Sequence, residues 1–200
     1  MSNEFNQNTS SDSELKTAES SLPFTYYVVA PRKLIILFIV TIGMYAIYWF
    51  YKNWQNFKLE TNRPMWPVMR GIFSIFFAHS LFKEVNNTLV TKKITYNWDY
   101  SYLATVYVIA QVIGNICDRL SYKNVGSPYT DLISFILLPV ICWSLYKSQL
   151  AINLACEDPN GESNSKLTGA NYVWITLGVI LILLILIGLY ITITEIPQVS

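Results

Sequence analysis

Histidine and cysteine, the side chains most often used in acid–base, nucleophilic and metal chemistry, are scarce in this sequence: one histidine and three cysteines. The only histidine, His79, lies in the phenylalanine-rich stretch WPVMRGIFSIFFAHSLF at 66–82. No serine and aspartate stand near it in a pattern that would make it a general base. The cysteines, Cys117, Cys142 and Cys156, are odd in number and show neither CxxC nor Cys/His spacing. That predicts neither a disulfide framework nor a zinc site. Asp158 and Asn160 begin like a calcium loop, but a glycine, Gly161, falls at the fourth position instead of the sixth, and no glutamate stands at the twelfth. No P-loop, GxGxxG, GxSxG or HExxH motif occurs. The sequence therefore assigns no catalytic, cofactor-binding or metal-ligating residue, and no cofactor is expected.

The remaining polar side chains are of the kind that hydrogen-bond between helices. Thr41, Tyr45, Tyr48 and Lys52 recur at i, i+4, i+7 and i+11 and share one helical face. Gly43 beside them would let a neighbouring helix approach closely. That face suits recognition of a partner helix or ligand; plain packing and interface anchoring would use the same residues. Trp49 and its tyrosine neighbours next to Lys52 read as an aromatic belt at a membrane surface. A second stripe, Tyr107, Gln111, Asn115 and Asp118, also shares one face, with Ala110 and Gly114 as a small-xxx-small pair alongside. It would serve helix packing or a polar solute path. Proton relays and ion sites in membranes normally use a charged residue at mid-depth, and the main apolar segments have none.

These stripes need elements to carry them, and composition names the kind. The chain has 200 residues, of which 52% are apolar, 15% aromatic and 14% charged, against about 25% charged in soluble domains. A soluble fold of this size lacks the interior to hide so much apolar surface. The net charge of +1 gives no field that would draw nucleic acid. Residues 1–25 differ: Met1 to Leu22 hold six serines, four acids and one base, too polar to repay ordering, and read as a disordered tail.

A crossing helix needs roughly 20 apolar residues. Four segments approach this, giving expected spans at about 33–52, 100–118, 130–150 and 171–194 within a helical membrane domain of residues 26–196. Pro139 predicts a kink in the third. The stretch 66–84 is apolar but carries Arg70 and His79, and is expected as one amphipathic helix in the membrane plane, with a re-entrant or spanning helix as the alternative. Arg70, His79 and Trp49 are then interfacial.

Lysines and arginines of short loops set orientation. Four spans put nine inside and five outside, with the N-terminus outside; a fifth span over 66–82 puts eight inside and five outside, with the N-terminus inside. Both arrangements make 83–99 and 147–170 cytoplasmic, and 119–130 and the C-terminus external. The side of the N-terminus stays open.

The pattern T-x-G-x-Y-x-x-Y-W-x-Y over Thr41–Tyr51, followed by Lys-Asn-Trp, resembles a family of small bacterial multi-pass membrane proteins of unknown function. The stretches YYVVAPRKLIILFIVTIGMYAIYWFYKNW and DPNGESNSKLTGANYVWI extend the resemblance over roughly Tyr26 to Tyr190. It implies a bacterial inner (cytoplasmic) membrane location and carries no catalytic assignment. The expectation is an all-α integral membrane bundle with four spans and one amphipathic or re-entrant helix. Its expected role is a non-enzymatic accessory or structural subunit. Its partners are the bilayer and either a second copy or another membrane protein, without nucleic acid. The alternative is a small transporter or channel subunit with a path along the second span.

Overall fold

The structure, a computed structural model, describes residues 26–123, 125–126 and 129–194. The expected polar tail, residues 1–25, lies outside the described residues, as do 195 and 196 at the other end of the expected domain. The described chain is all-α, with seven helices and, among these residues, no strand: α1 Pro31–Val40, α2 Tyr45–Thr61, α3 Pro67–Ile72, α4 Ser74–Thr91, α5 Tyr100–Tyr122, α6 Tyr129–Ala155 and α7 Gly169–Thr194, with a 3-10 turn at Glu162–Asn164. Three are long and apolar enough to cross a membrane: α5, Leu132–Ala155 within α6, and Gly169–Ile187 within α7.

The segment expected as the first span is two helices. Pro31 opens α1, where its missing N–H costs nothing. The helix stops after ten residues because the chain turns left-handed, with φ of 50° at Ile42 and 84° at Gly43. The N–H of Gly43 returns to the Phe38 carbonyl at 2.8 Å and that of Ile42 to Ile39 at 3.0 Å, a closure that glycine permits. The Thr41 hydroxyl donates to the Leu37 carbonyl at 2.7 Å and accepts the Tyr45 N–H at 2.9 Å, joining the end of α1 to the start of α2. The two ends of this segment then meet. Tyr26 stacks on Phe57 with ring centroids 5.8 Å apart, whereas a straight helix from one to the other would separate them by about 46 Å. The turn lies against Leu138 of α6, close to a Cβ placed on Gly43. A Cβ on Gly178 of α7 would strike the Val40 carbonyl, so the end of α1 docks in that notch.

The segment expected as one in-plane helix over 66–84 is also broken, at Phe73, between α3 and α4. Pro67 starts α3, which runs back along α2: the Arg70 guanidinium lies 4.2 Å over the Trp54 ring, and a Cβ on Gly71 would crowd the Ile47 carbonyl. The chain leaves through α4, antiparallel to α5, with Ser74 on Tyr107 (2.8 Å), His79 on Thr105 (3.1 Å) and Asn86 on Trp98 (3.2 Å). Arg63 and Glu84, on either side of the hairpin, pair at 3.1 Å. Two consecutive helical hairpins thus occupy the segments expected as one span and one in-plane helix.

α5 and α6 pack antiparallel, with the Ser144 hydroxyl donating to the Leu103 carbonyl at 2.8 Å and Gly114 facing Leu137. The core is an aromatic stack shared by hairpins and spans: Trp49, Phe50, Phe82 and Tyr107, with centroids 4.9 to 6.5 Å apart.

Candidate functional site

Residues 26–30 form a buried, non-helical segment before α1, and its backbone needs partners. Five carboxamides supply them. Asn56 donates to the Tyr26 carbonyl (3.1 Å), and Asn53 accepts the Tyr27 N–H (3.1 Å). Gln149 donates to the Tyr27 carbonyl (3.1 Å), Asn164 to Val28 (2.8 Å) and Asn153 to Val29 (3.1 Å). Gln149 also donates to Asn153 (2.7 Å) and accepts the indole N–H of Trp49. Gln149 and Asn153, one turn apart near the end of α6, read in the sequence only as a polar helix end. In the sequence Asn53 stood out only within the Lys-Asn-Trp that follows the motif, and Asn56 not at all.

Beside this clamp a cavity of about 660 Å³ opens between α1, α2, the short α3 and the first turns of α7. Thr41, Tyr45 and Tyr48, the face expected from their spacing, line it together with Tyr27, Tyr51 and Trp174. The tyrosines form a ladder: Tyr27 meets Tyr48 edge-on at 5.9 Å, Tyr45 lies 5.8 Å from Tyr48, and Tyr51 6.4 Å from it. The Tyr45 hydroxyl reaches that of Tyr27 at 3.5 Å. Lys33 lines the same cavity, 3% exposed, and its ammonium donates to Asn164 Oδ1 (2.6 Å) and the Lys166 carbonyl (2.8 Å). In the sequence Lys33 only marked where an apolar run began. Lys52, the last member of the predicted face, bonds Gln55 at 3.0 Å and is not among the lining residues.

Compared with protein-family models, with curated proteins and with solved structures, this chain matches none.

The other expected positions fall elsewhere. Gly43 belongs to a second cavity of about 530 Å³ between α1 and α6, and its left-handed backbone makes the turn that the motif encodes. Trp49 is fully buried in the protein, its indole N–H held by Gln149. Arg70 is half-buried between Trp54 and Phe77, and His79 is exposed on Thr105. On α5, Tyr107 is buried, its hydroxyl shared with Ser74 and Gln111. Asn115 is exposed, and its amide donates to the Gln111 carbonyl of its own helix (2.8 Å). Gln111, Gly114 and Asn115 line neither cavity. Among the described residues no three His, Cys, Asp or Glu side chains stand close enough to hold a metal ion.

Proposed function

We propose that this chain is a non-enzymatic accessory or structural membrane protein with three crossings, α5 to α7, and a half-embedded lobe, α1 to α4, lying in one leaflet. The carboxamide clamp supports this reading most: the lobe's buried hydrogen-bonding groups hold the chain to itself instead of facing a reaction space. The meeting of Tyr26 with Phe57, and of Arg63 with Glu84, supports hairpins that enter and leave on one face. This replaces the first of the four expected crossings with a re-entrant pair.

Charge agrees with that disposition. Of the 14 lysines and arginines, Lys16 precedes the described residues and Arg119 and Lys123 stand at the far end of α5, while the other eleven belong to the lobe, its connection to α5 and the stretch 147–166, which this disposition assigns to the opposite face. An eleven-to-two bias favours that face as cytoplasmic far more strongly than nine-to-five or eight-to-five. It keeps 83–99 and 147–170 inside and 119–130 outside, and puts Tyr26 inside. A bacterial inner membrane is the location that the resemblance of Thr41–Tyr51 implies, with a second copy or another membrane protein as partner.

Single cysteines at Lys58, Asn87, Asn160 and Val125, in a protein whose own cysteines are replaced by serine, test the disposition with an impermeant maleimide. The first three are expected to react from one side and Val125 from the other. Reaction of Lys58Cys from the Val125 side would overturn the hairpins. Crosslinking in membranes is expected to trap a stoichiometric partner or dimer; solute flux in liposomes that Gln111→Leu abolishes would overturn the accessory role in favour of a transporter.

A further inference from the structure

We infer that the cavity between α1, α2 and α7 is a binding site for one anionic phospholipid, with the headgroup phosphate on Lys33 and an acyl chain along the tyrosine ladder. Lys33 is 3% exposed yet, among the described residues, has no carboxylate partner. The two ion pairs among the described residues are Arg63–Glu84 and Lys92–Glu157, and the acceptors of Lys33 are neutral, an amide oxygen and a backbone carbonyl. An ammonium offers three donors, of which these take two. A buried cation without a counter-charge is costly, and an anion in contact with it removes that cost.

The rest of the cavity selects what carries the anion. From Lys33 to Thr41 the lining descends eight residues of α1, about 12 Å, from the polar Asn164–Lys166 connection to the apolar Leu37 and Met44. Polar atoms at one end and an aliphatic and aromatic trough at the other match a lipid headgroup followed by its chain. The volume of about 660 Å³ lies within the usual range for a site that encloses a small ligand, roughly 300–1,000 Å³. Thr168 and Asn171, at the start of α7, border the polar end. The inference rests on the lobe lying in the leaflet of the basic face, where such headgroups stand.

The full chain in detergent, mixed with dioleoylphosphatidylglycerol or dioleoylphosphatidylcholine, tests it by native mass spectrometry. The unaltered protein is expected to retain one phosphatidylglycerol roughly tenfold better than phosphatidylcholine, the scale of a single charge-assisted hydrogen-bonded contact. Lys33→Gln is expected to lose that preference, Lys33→Arg to keep it, and Lys58→Gln, on exposed α2 surface, to leave it unchanged. Ala170→Trp, at an exposed lining position that does not disturb the clamp, is expected to block retention of either lipid. No preference in the unaltered protein, its persistence in Lys33→Gln, or undiminished retention in Ala170→Trp would each overturn the site. Because detergent-solubilised protein has no sides, maleimide labelling from the wrong face would refute the hairpin disposition while leaving this measurement standing.

Discussion

α7 and the α1–α4 lobe meet the same physical demand by opposite means. Inside a bilayer every backbone N–H and C=O must find a partner in the protein. α7 can satisfy this with 26 residues of continuous helix, and only 6% of its most apolar window is buried by the rest of the chain. The lobe breaks its helices at 41–44 and at Phe73, and each break frees backbone groups that side chains or neighbouring backbone must recover. Thr41 and the Phe38 carbonyl do so at the first turn, and five carboxamides do so for residues 26–30. A bare helix is tolerant of sequence; a broken one depends on particular residues.

Substitutions can break that contrast in graded steps. The largest effect is expected from Gln149→Leu, which orphans the Trp49 indole N–H and the Tyr27 carbonyl at once. At about 1–3 kcal/mol for each buried group left unpaired, the loss is roughly 3 kcal/mol, read as a lower unfolding temperature in detergent and faster proteolysis before Pro31. Gly43→Val follows, at about 2 kcal/mol, because a branched side chain resists φ of 84° and crowds Leu138. Gly43→Asn should recover part of it, since asparagine enters the left-handed region more readily.

A smaller effect comes through the connection that holds Asn164. Burial pushes the Asp158 carboxyl up, but hydrogen bonds from Ser163, Glu162 and Gly161 outweigh that and hold it below the usual aspartate value. A depressed pKa in the fold means stability that is present at neutral pH and lost as pH falls through the folded value. Amide protection at Glu162 and Ser163 is expected to drop in acid, and Asp158→Asn to remove that pH dependence. The smallest effect is expected from Asn115→Leu, within about 0.5 kcal/mol by thermal unfolding, because the exposed amide bonds only its own helix. A loss as large as that of Gln149→Leu would mean that α5 depends on its polar stripe as the lobe depends on its clamp.

The long apolar helices α5, α6 and α7 were legible because hydropathy measures unbroken apolar length, and these helices run unbroken through it. The hairpins were not, for the same reason: Thr41-Ile-Gly43-Met44 is uncharged, so a count of uncharged residues passes over a reversal of the chain. The near tie between the two charge distributions fits this, since both carry across the membrane basic residues that the proposed hairpin disposition keeps on one side. The site was half legible. Helical spacing brought Thr41, Tyr45 and Tyr48 together correctly, although a turn separates the first from the other two. Lys33, Asn53 and Asn164 join it through contacts spanning 26 to 131 residues of sequence, which no local period reveals.

The closure of Tyr26 onto Phe57 also bears on how the chain is made. A helix that crosses obliges the insertion machinery to thread whatever follows it through to the other side. Paired hairpins make no such demand, so in the proposed disposition the chain from 26 to 99 would enter the bilayer sideways from the ribosomal side with its basic residues left behind. In that disposition the hydrophilic stretch to be translocated between the start of α1 and the start of α7 is the end of α5 and its short connection to α6, with Arg119 and Lys123 as its basic load.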